Sequence, residues 1–202
     1  MTKGTGQTAA EIMAELEANL QFVAEAKEPE LERFRQRAVW ADAEKDIVSE
    51  LRNIGYDIES VWDLVPRAEP YPEALPVLLW HLEHGDYPAR IDEGLARAMA
   101  VPDSLFAWKD LVALYSASKT RDRRDGLAAA LAAIATATEV HDLIQLADEP
   151  RNGESRVLFL RPILTLGGQD ARATVERYVE DEELAREARA LLKKSIAKKR
   201  AR

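Results

Sequence analysis

Residues 91–101 read IDEGLARAMAV, and residues 123–134 read RRDGLAAALAAI. When Gly94 is aligned with Gly126, both segments place a leucine directly after the glycine and small residues further along the same helical pattern. A glycine inside a helix costs about 1 kcal/mol relative to alanine, so it needs a reason. The repetition predicts closely packed helices in which neither glycine position has space for a side chain.

The same pattern continues along the chain. Residues 155–166, SRVLFLRPILTL, form a third copy, and residues 184–194, LAREARALLKK, form a looser fourth copy. Each copy follows another apolar pattern with helical spacing, such as Leu75, Leu78 and Leu82 before the first. Two helices in each period of roughly thirty residues are typical of stacked helical repeats. In the third copy, the proline that follows Arg161 predicts a kink or a split in the second helix.

These helical pairs, with an acidic residue followed by aliphatic and small residues in the second helix, resemble HEAT repeats. The resemblance is to the short bacterial kind that includes the bilin-lyase-like repeats, and it covers residues 71–194. It implies an all-α fold, a right-handed α-solenoid of about four HEAT-like helical hairpins. It implies little about function, because one helical scaffold serves many activities.

The N-terminal third of the chain does not show the repeat. Residues 1–66 are expected to form an N-terminal helical cap over the first repeat, with a first helix that begins at Thr8. The sequence PRAEPYP at residues 66–72 contains three prolines and marks the boundary with the repeats, residues 71–194. Residues 195–202 form a basic tail.

Charge is distributed unevenly along the chain. The formal charge is −8, but residues 193–202, KKSIAKKRAR, contain six cations and no acid, so residues 1–192 carry −14. An acidic body repels nucleic acid and attracts basic proteins, whereas the tail could attract either nucleic acid or an acidic protein. Cations also suit the C-terminal end of a helix, so the role of the tail stays open.

Composition also bounds the location of the protein. The chain contains no cysteine, its first residues do not resemble a signal peptide, and no apolar run has the length of a membrane span. A reducing compartment fits the absence of cysteine. We therefore expect a cytoplasmic protein with no membrane partner.

No catalytic arrangement is recognisable in the sequence. There is neither a glycine-rich phosphate loop nor a nucleophile elbow, and nothing indicates a cofactor. His81 and His84 have a spacing that a metal could use, but His141 is the only further histidine, and a zinc site needs three or four ligands. We predict no metal site, no catalytic residue and no enzyme activity.

The candidate partner-binding residues lie mainly on the second helices of the repeats. If the apolar residues of the first second helix face the core, Arg90, Glu93 and Arg97 lie on the opposite face, which lines the concave side in HEAT-like solenoids. The apolar residues are Ile91, Leu95, Ala98 and Met99. A row of guanidinium groups there would suit an acidic polypeptide segment through bidentate pairs. The alternative is that these groups pair with acids of the same chain. The predicted residues are Arg90, Glu93, Arg97, Arg124, Arg156 and Arg161.

Trp80 completes the predicted set of partner-binding residues. It lies off the stripe formed by Leu75, Leu78 and Leu82 on its helix. It either packs the N-terminal cap against the first repeat or remains partly exposed as an anchor for a partner.

Two classes of function are compatible with these observations. The favoured one is a non-catalytic protein-binding scaffold or adaptor that uses the concave face of an α-solenoid. Its partner is either an acidic segment in that groove or a basic protein on the acidic surface, which the chain would neutralise. The alternative is a nucleic-acid-binding HEAT-like protein of the DNA-repair type, which requires a continuous basic groove and exposed aromatic side chains.

Overall fold

The structure, a computed structural model, describes the backbone of residues 28–200 and the side chains of residues 28–195. Within these ranges the chain forms α-helices, 3-10 turns and connecting loops, and it forms no β-strand. The prediction of an all-α fold is confirmed. The helix expected to begin at Thr8 and the end of the basic tail lie outside the described residues.

The chain divides into two compact units, residues 1–42 and residues 43–202. In the first unit the described residues belong to helix α1, residues 28–43, on which Leu31 and Phe34 are exposed. The second unit contains all later elements. Residues 43–66, which the sequence assigns to the N-terminal cap, therefore fall in the same unit as the predicted repeats.

The second unit starts with α2 (Lys45–Asn53) and a 3-10 turn, Val61–Leu64. Four pairs of helical elements follow, and the second member of the third pair is divided into two parts. The pairs are α3 (Leu75–His84) with α4 (Ala89–Ala98), α5 (Trp108–Ala117) with α6 (Arg121–Ile134), α7 (Val140–Asp148) with the 3-10 segment Pro150–Phe159 and α8 (Leu160–Leu166), and α9 (Ala171–Arg177) with α10 (Ala185–Arg200).

The second members of these pairs pack against one another in chain order. Helix α4 contacts the turn Val61–Leu64 on one side and α6 on the other, and α6 contacts both the segment Pro150–Phe159 and α8. Helix α8 in turn contacts α10. Neighbouring elements in the sequence are thus neighbours in space along the second unit.

Both repeated glycines lie where their helix packs closely on the preceding element, which is the 3-10 turn Val61–Leu64 for Gly94 and helix α4 for Gly126. A Cβ at Gly94 would lie 2.7 Å from Nε1 of Trp62, and a Cβ at Gly126 would lie 2.8 Å from Cβ of Ala96 and 2.9 Å from the carbonyl oxygen of Glu93. Each glycine therefore allows its helix to approach the preceding member of the row. The close packing predicted at both positions is confirmed.

The core follows the apolar stripes that the sequence predicts. Leu95 and Leu127, which follow the two glycines, are fully buried, as are Leu75, Leu78 and Leu82. Burying a leucine side chain contributes about 1.5–3 kcal/mol. Each helical pair thus buries an apolar face that it could not cover alone.

Polar contacts also join successive pairs. The indole nitrogen of Trp108 on α5 donates to Asp142 on α7 at 2.8 Å, and the hydroxyl of Tyr178, after α9, donates to Asp148 on α7 at 2.8 Å. Burial, together with this hydrogen bond to a carboxylate, raises the pKa of Tyr178 above its ordinary value. These bonds fix the relative positions of the second, third and fourth pairs.

The second member of the third pair consists of two parts, unlike the second members of the other pairs. It begins as a 3-10 segment and becomes α-helical only at Leu160, so Pro162 lies in the first turn of α8, where a missing amide hydrogen is tolerated. The non-helical backbone of this second member lies at Gly153 (φ 64°, ψ −155°), whereas Phe159 and Leu160 are both helical, so the break does not occur at Arg161 and Pro162, where the sequence predicts a kink or a split. Within the described part of the chain, no helix combines the length and the apolarity needed to cross a bilayer.

Candidate partner-binding groove

The predicted residues of α4 are engaged within the chain. The guanidinium of Arg97 pairs with the carboxylate of Glu93 one helical turn away, with Nε and Oε1 2.7 Å apart. The guanidinium of Arg90 lies 4.8 Å from the ring centre of Trp62, whose indole nitrogen donates to the carbonyl of Arg90 at 3.1 Å. These residues of α4 therefore match the alternative prediction, in which the charged groups contact other residues of the same chain.

Arg156 is the most deeply buried of the predicted residues. It is 3% exposed, and its nitrogens donate to the carboxylates of Asp181 and Glu183 and to the carbonyls of Ala147 and Gly153. Burial opposes ionisation of Asp181, but the hydrogen bonds from Arg156 and two backbone amides outweigh it, so the pKa of Asp181 lies below its ordinary value. Arg156 thus joins the third pair to the loop that precedes α10.

Arg123, a neighbouring arginine of α6, is also paired. It donates to Asp92 of α4 at 2.9 Å and to the carbonyl of Leu82 at the end of α3. Burial raises the pKa of Asp92 above its ordinary value, although the adjacent Arg123 opposes that shift. This half-buried ion pair connects the first two helical pairs rather than facing a partner.

Arg124 has a different environment. One of its terminal nitrogens donates to the carbonyl of Ser118 at 2.5 Å, and its Nε is buried without a hydrogen-bond partner. It lies between two open clefts of about 400 and 300 Å³, which it lines together with Asn152. Among the described residues, no carboxylate lies within 4.0 Å of its nitrogens.

Arg161 is exposed and pairs with no acid among the described residues. It lies near the start of α8, and no carboxylate in the described ranges lies within 4.0 Å of it. It lines two adjacent depressions, one of about 550 Å³ towards α6 and one of about 300 Å³ towards α10. We call these two depressions, with Arg161 between them, the second-helix groove.

Small apolar side chains form most of the floor of the second-helix groove. The larger depression is lined by Ala129, Ala132 and Ala133 of α6 and by Val157, Leu158 and Pro162 of the third pair. Leu158 is 37% exposed, although it is a large apolar side chain. Alanines on this side of α6 leave an accessible shelf, whereas Ala128 and Ala130 on the other sides of the helix are buried.

The charges along the groove are mixed but become cationic towards α10. Glu187 lines the larger depression, and Arg161 lies at the junction of the two. The smaller depression is lined by Lys194 in addition to Arg161, and by the apolar side chains of Leu164 and Leu191. A segment that combined apolar side chains with a carboxylate near Arg161 would complement these features.

Trp80 lies on α3, outside the second-helix groove. It is 53% exposed, and its ring stacks on that of His84, with the centres 5.0 Å apart and the planes at 20°. The nearby His81 is buried and hydrogen-bonds to the hydroxyl of Tyr87 at 2.6 Å and to the carboxylate of Glu50 at 3.2 Å. Of the two predictions for Trp80, the structure matches the one in which the side chain remains partly exposed.

The predicted residues therefore do not form one continuous row. Arg161 is accessible in a groove, Arg124 is partly buried between clefts, and the arginines of α4 and Arg156 are engaged internally. The alanines of α6 and Leu158 were not among the predicted residues, because small and apolar residues in a helical pattern indicate a core position first. In the described part of the chain, no group of three or more His, Cys, Asp or Glu residues could hold a metal ion.

No protein-family model, no curated protein and no solved structure matches this chain.

Proposed function

We propose that the protein is a non-catalytic, protein-binding scaffold with a HEAT-like α-solenoid architecture, and that its second-helix groove binds an acidic polypeptide segment. The architecture is supported by the row of second members and by the close packing at Gly94 and Gly126. The single observation that carries the function is an open groove with an apolar floor and an arginine that has no carboxylate partner among the described residues.

The composition of the groove favours a polypeptide over nucleic acid. The shelf of alanines and Leu158 suits aliphatic side chains, and it offers no aromatic ring on which a base could stack. A continuous basic track is also lacking in the described residues, because Arg97, Arg123 and Arg156 are neutralised by carboxylates. Nucleic-acid binding therefore remains the second candidate, with its support in the basic tail.

The test compares partner capture by variants that change the groove without changing the core. Arg161→Glu reverses the exposed charge, and Ala132→Trp fills the larger depression. Lys109→Glu is the matched control, because Lys109 is an exposed cation on α5. Partners are captured from the native host by tagged full-length protein, identified, purified and then measured for direct binding.

We expect a partner that binds the wild type and the Lys109→Glu variant equally, and that binds each groove variant at least about tenfold more weakly, as for a lost charge-assisted contact in an interface. Circular dichroism and thermal unfolding verify that the variants are folded. Equal direct binding by wild type and both groove variants would contradict the proposal. A captured nucleic acid whose binding falls steeply with salt and needs residues 193–202 would favour the second candidate.

A further inference from the structure

Helix α3 carries an exposed aromatic surface that lies outside the second-helix groove. Trp80 is among the most exposed large apolar residues of the second unit, and His84 covers one face of its ring. The Nδ1–H of His84 donates to the carbonyl of Trp80 at 2.9 Å, which holds the imidazole in its stacked position. More than half of the Trp80 surface remains open to solvent in this arrangement.

Two carboxylates lie next to the histidine rings that contact Trp80. Glu50 of α2 contacts His81, whose ring meets that of Trp80 edge to face at 5.0 Å. Glu83 lies 4.0 Å from Nδ1 of His84. No lysine or arginine in the described ranges lies within 4.0 Å of either carboxylate.

Two further acids extend the negative charge around the stack. Asp46 and Glu50 both act electrostatically on Tyr87, which is hydrogen-bonded to His81, and Asp86 acts on the neighbouring Asp92. Arg123 pairs with Asp92 and, among the described residues, forms no ion pair with the carboxylates of α2. Among the described residues, neither Glu50 nor Glu83 forms an ion pair with a lysine or an arginine, so both carboxylates can attract a cation from outside the chain.

We propose that Trp80, His84, Glu50 and Glu83, which we call the tryptophan patch, bind a lysine or arginine side chain from a basic segment of a partner protein. A cation is attracted to the face of an indole ring, and nearby carboxylates strengthen that attraction. The carboxylates repel phosphate, which disfavours nucleic acid, and they repel acidic peptides. The tryptophan patch is separate from the second-helix groove, so this proposal goes beyond the proposed function and does not depend on it.

The test measures binding of a fluorescent peptide of alternating arginine and serine to the full-length protein by anisotropy at low ionic strength. A peptide of alternating glutamine and serine is the neutral control, and one of glutamate and serine is the acidic control. We expect the arginine peptide to bind and both controls to bind more weakly. Trp80→Ala is expected to weaken binding about fivefold, which is the size of a cation–π contact at a partly exposed site.

A second set of variants separates a local site from general attraction to an acidic protein. The double variant Glu50→Gln and Glu83→Gln is expected to weaken binding about fivefold, since it removes two charges beside the ring. The matched control, Asp110→Asn with Glu182→Gln, removes two exposed charges elsewhere and is expected to leave binding unchanged. Equal losses in both double variants, no effect of Trp80→Ala, or equal binding of the neutral peptide would overturn the proposal.

Discussion

At the scale of single residues, the arginines of this chain differ in function because their surroundings differ. Arg156 is surrounded by two carboxylates and two carbonyls, whereas Arg161 projects into a groove without a carboxylate partner in the described residues. Removing Arg156 would leave the carboxylates of Asp181 and Glu183 without their cation and the carbonyl of Ala147 without this donor, which is destabilising. Arg156 therefore belongs to the interior of the fold and is not part of the proposed groove.

The shifted pKa of Asp181 predicts a contribution to stability that disappears in acid. Because its pKa in the folded protein lies below the ordinary value of 3.8, the contribution is complete above pH 3.8 and is lost as the pH falls further, through the folded-state pKa. We expect Asp181→Asn to lower stability at neutral pH and to reduce the loss of stability on acidification below 3.8. Urea unfolding across that acid range measures both effects.

The control for this prediction is Asp110→Asn, which changes an exposed carboxylate on α5. This variant is expected to lose stability in acid as steeply as the wild type does. If Asp181→Asn also follows the wild-type acid profile, the ion pair with Arg156 does not contribute to the pH dependence.

At the scale of helical elements, the crossing of α4 and α6 decides the spacing of the first two pairs. The side chain of Ala96 and the backbone of α4 at Glu93 occupy the space next to Gly126. At an ordinary helical position, alanine would be more stable than glycine by about 1 kcal/mol. At this crossing the cost of displacing the neighbouring backbone exceeds that gain, because overpacking costs about 1–3 kcal/mol.

We therefore expect Gly126→Ala to lower the free energy of unfolding by about 1 kcal/mol, the surplus of the overpacking cost over the gain in helix propensity. The reciprocal control is Ala133→Gly on the same helix, where Ala133 is exposed and glycine is expected to be worse by about 0.5–1 kcal/mol. Chemical denaturation measures both changes. A Gly126→Ala variant that is more stable than the wild type would show that the two helices have room to separate.

Sequence patterns predict the helical elements of this protein but not the groove between them. The repeated pattern located the helical pairs and the close packing at the two glycines, because both depend on local sequence. The groove could not be located in the same way. Ala128 and Ala129 are adjacent and identical in type, yet the first is buried and the second lines an open depression. They lie on different faces of α6, and which of these faces is covered depends on where the neighbouring elements pack.

At the scale of the whole molecule, the order of contacts in the second unit predicts how stability is distributed. In a solenoid, each repeat contacts its neighbours, so a local defect affects neighbouring repeats most. A closed bundle would transmit the same defect to all helices. Leu184, which is fully buried at the start of the fourth pair's second helix, is a suitable position for such a defect.

We expect Leu184→Ala, which removes about 2–5 kcal/mol of packing, to accelerate amide hydrogen exchange in α9 and α10 much more than in α3 and α4. The control is Leu95→Ala in α4, which is expected to accelerate exchange in α3 and α6 instead. Mass spectrometry of exchanged fragments measures the pattern. Uniform acceleration in all helices of the second unit by both variants would argue against a solenoid.

The sequence by itself determined the all-α class, the helical pairs and the need for small residues at two helix crossings, since each follows from propensity and from apolar spacing over a few turns. The tertiary structure alone decided which charged groups remain accessible. Arg156 and Arg161 are five residues apart in the same copy of the pattern. The fold brings Asp181 and Glu183 to Arg156. No carboxylate among the described residues lies within 4.0 Å of Arg161. The partners of Arg156 come from distant segments of the chain, whose positions no local pattern records.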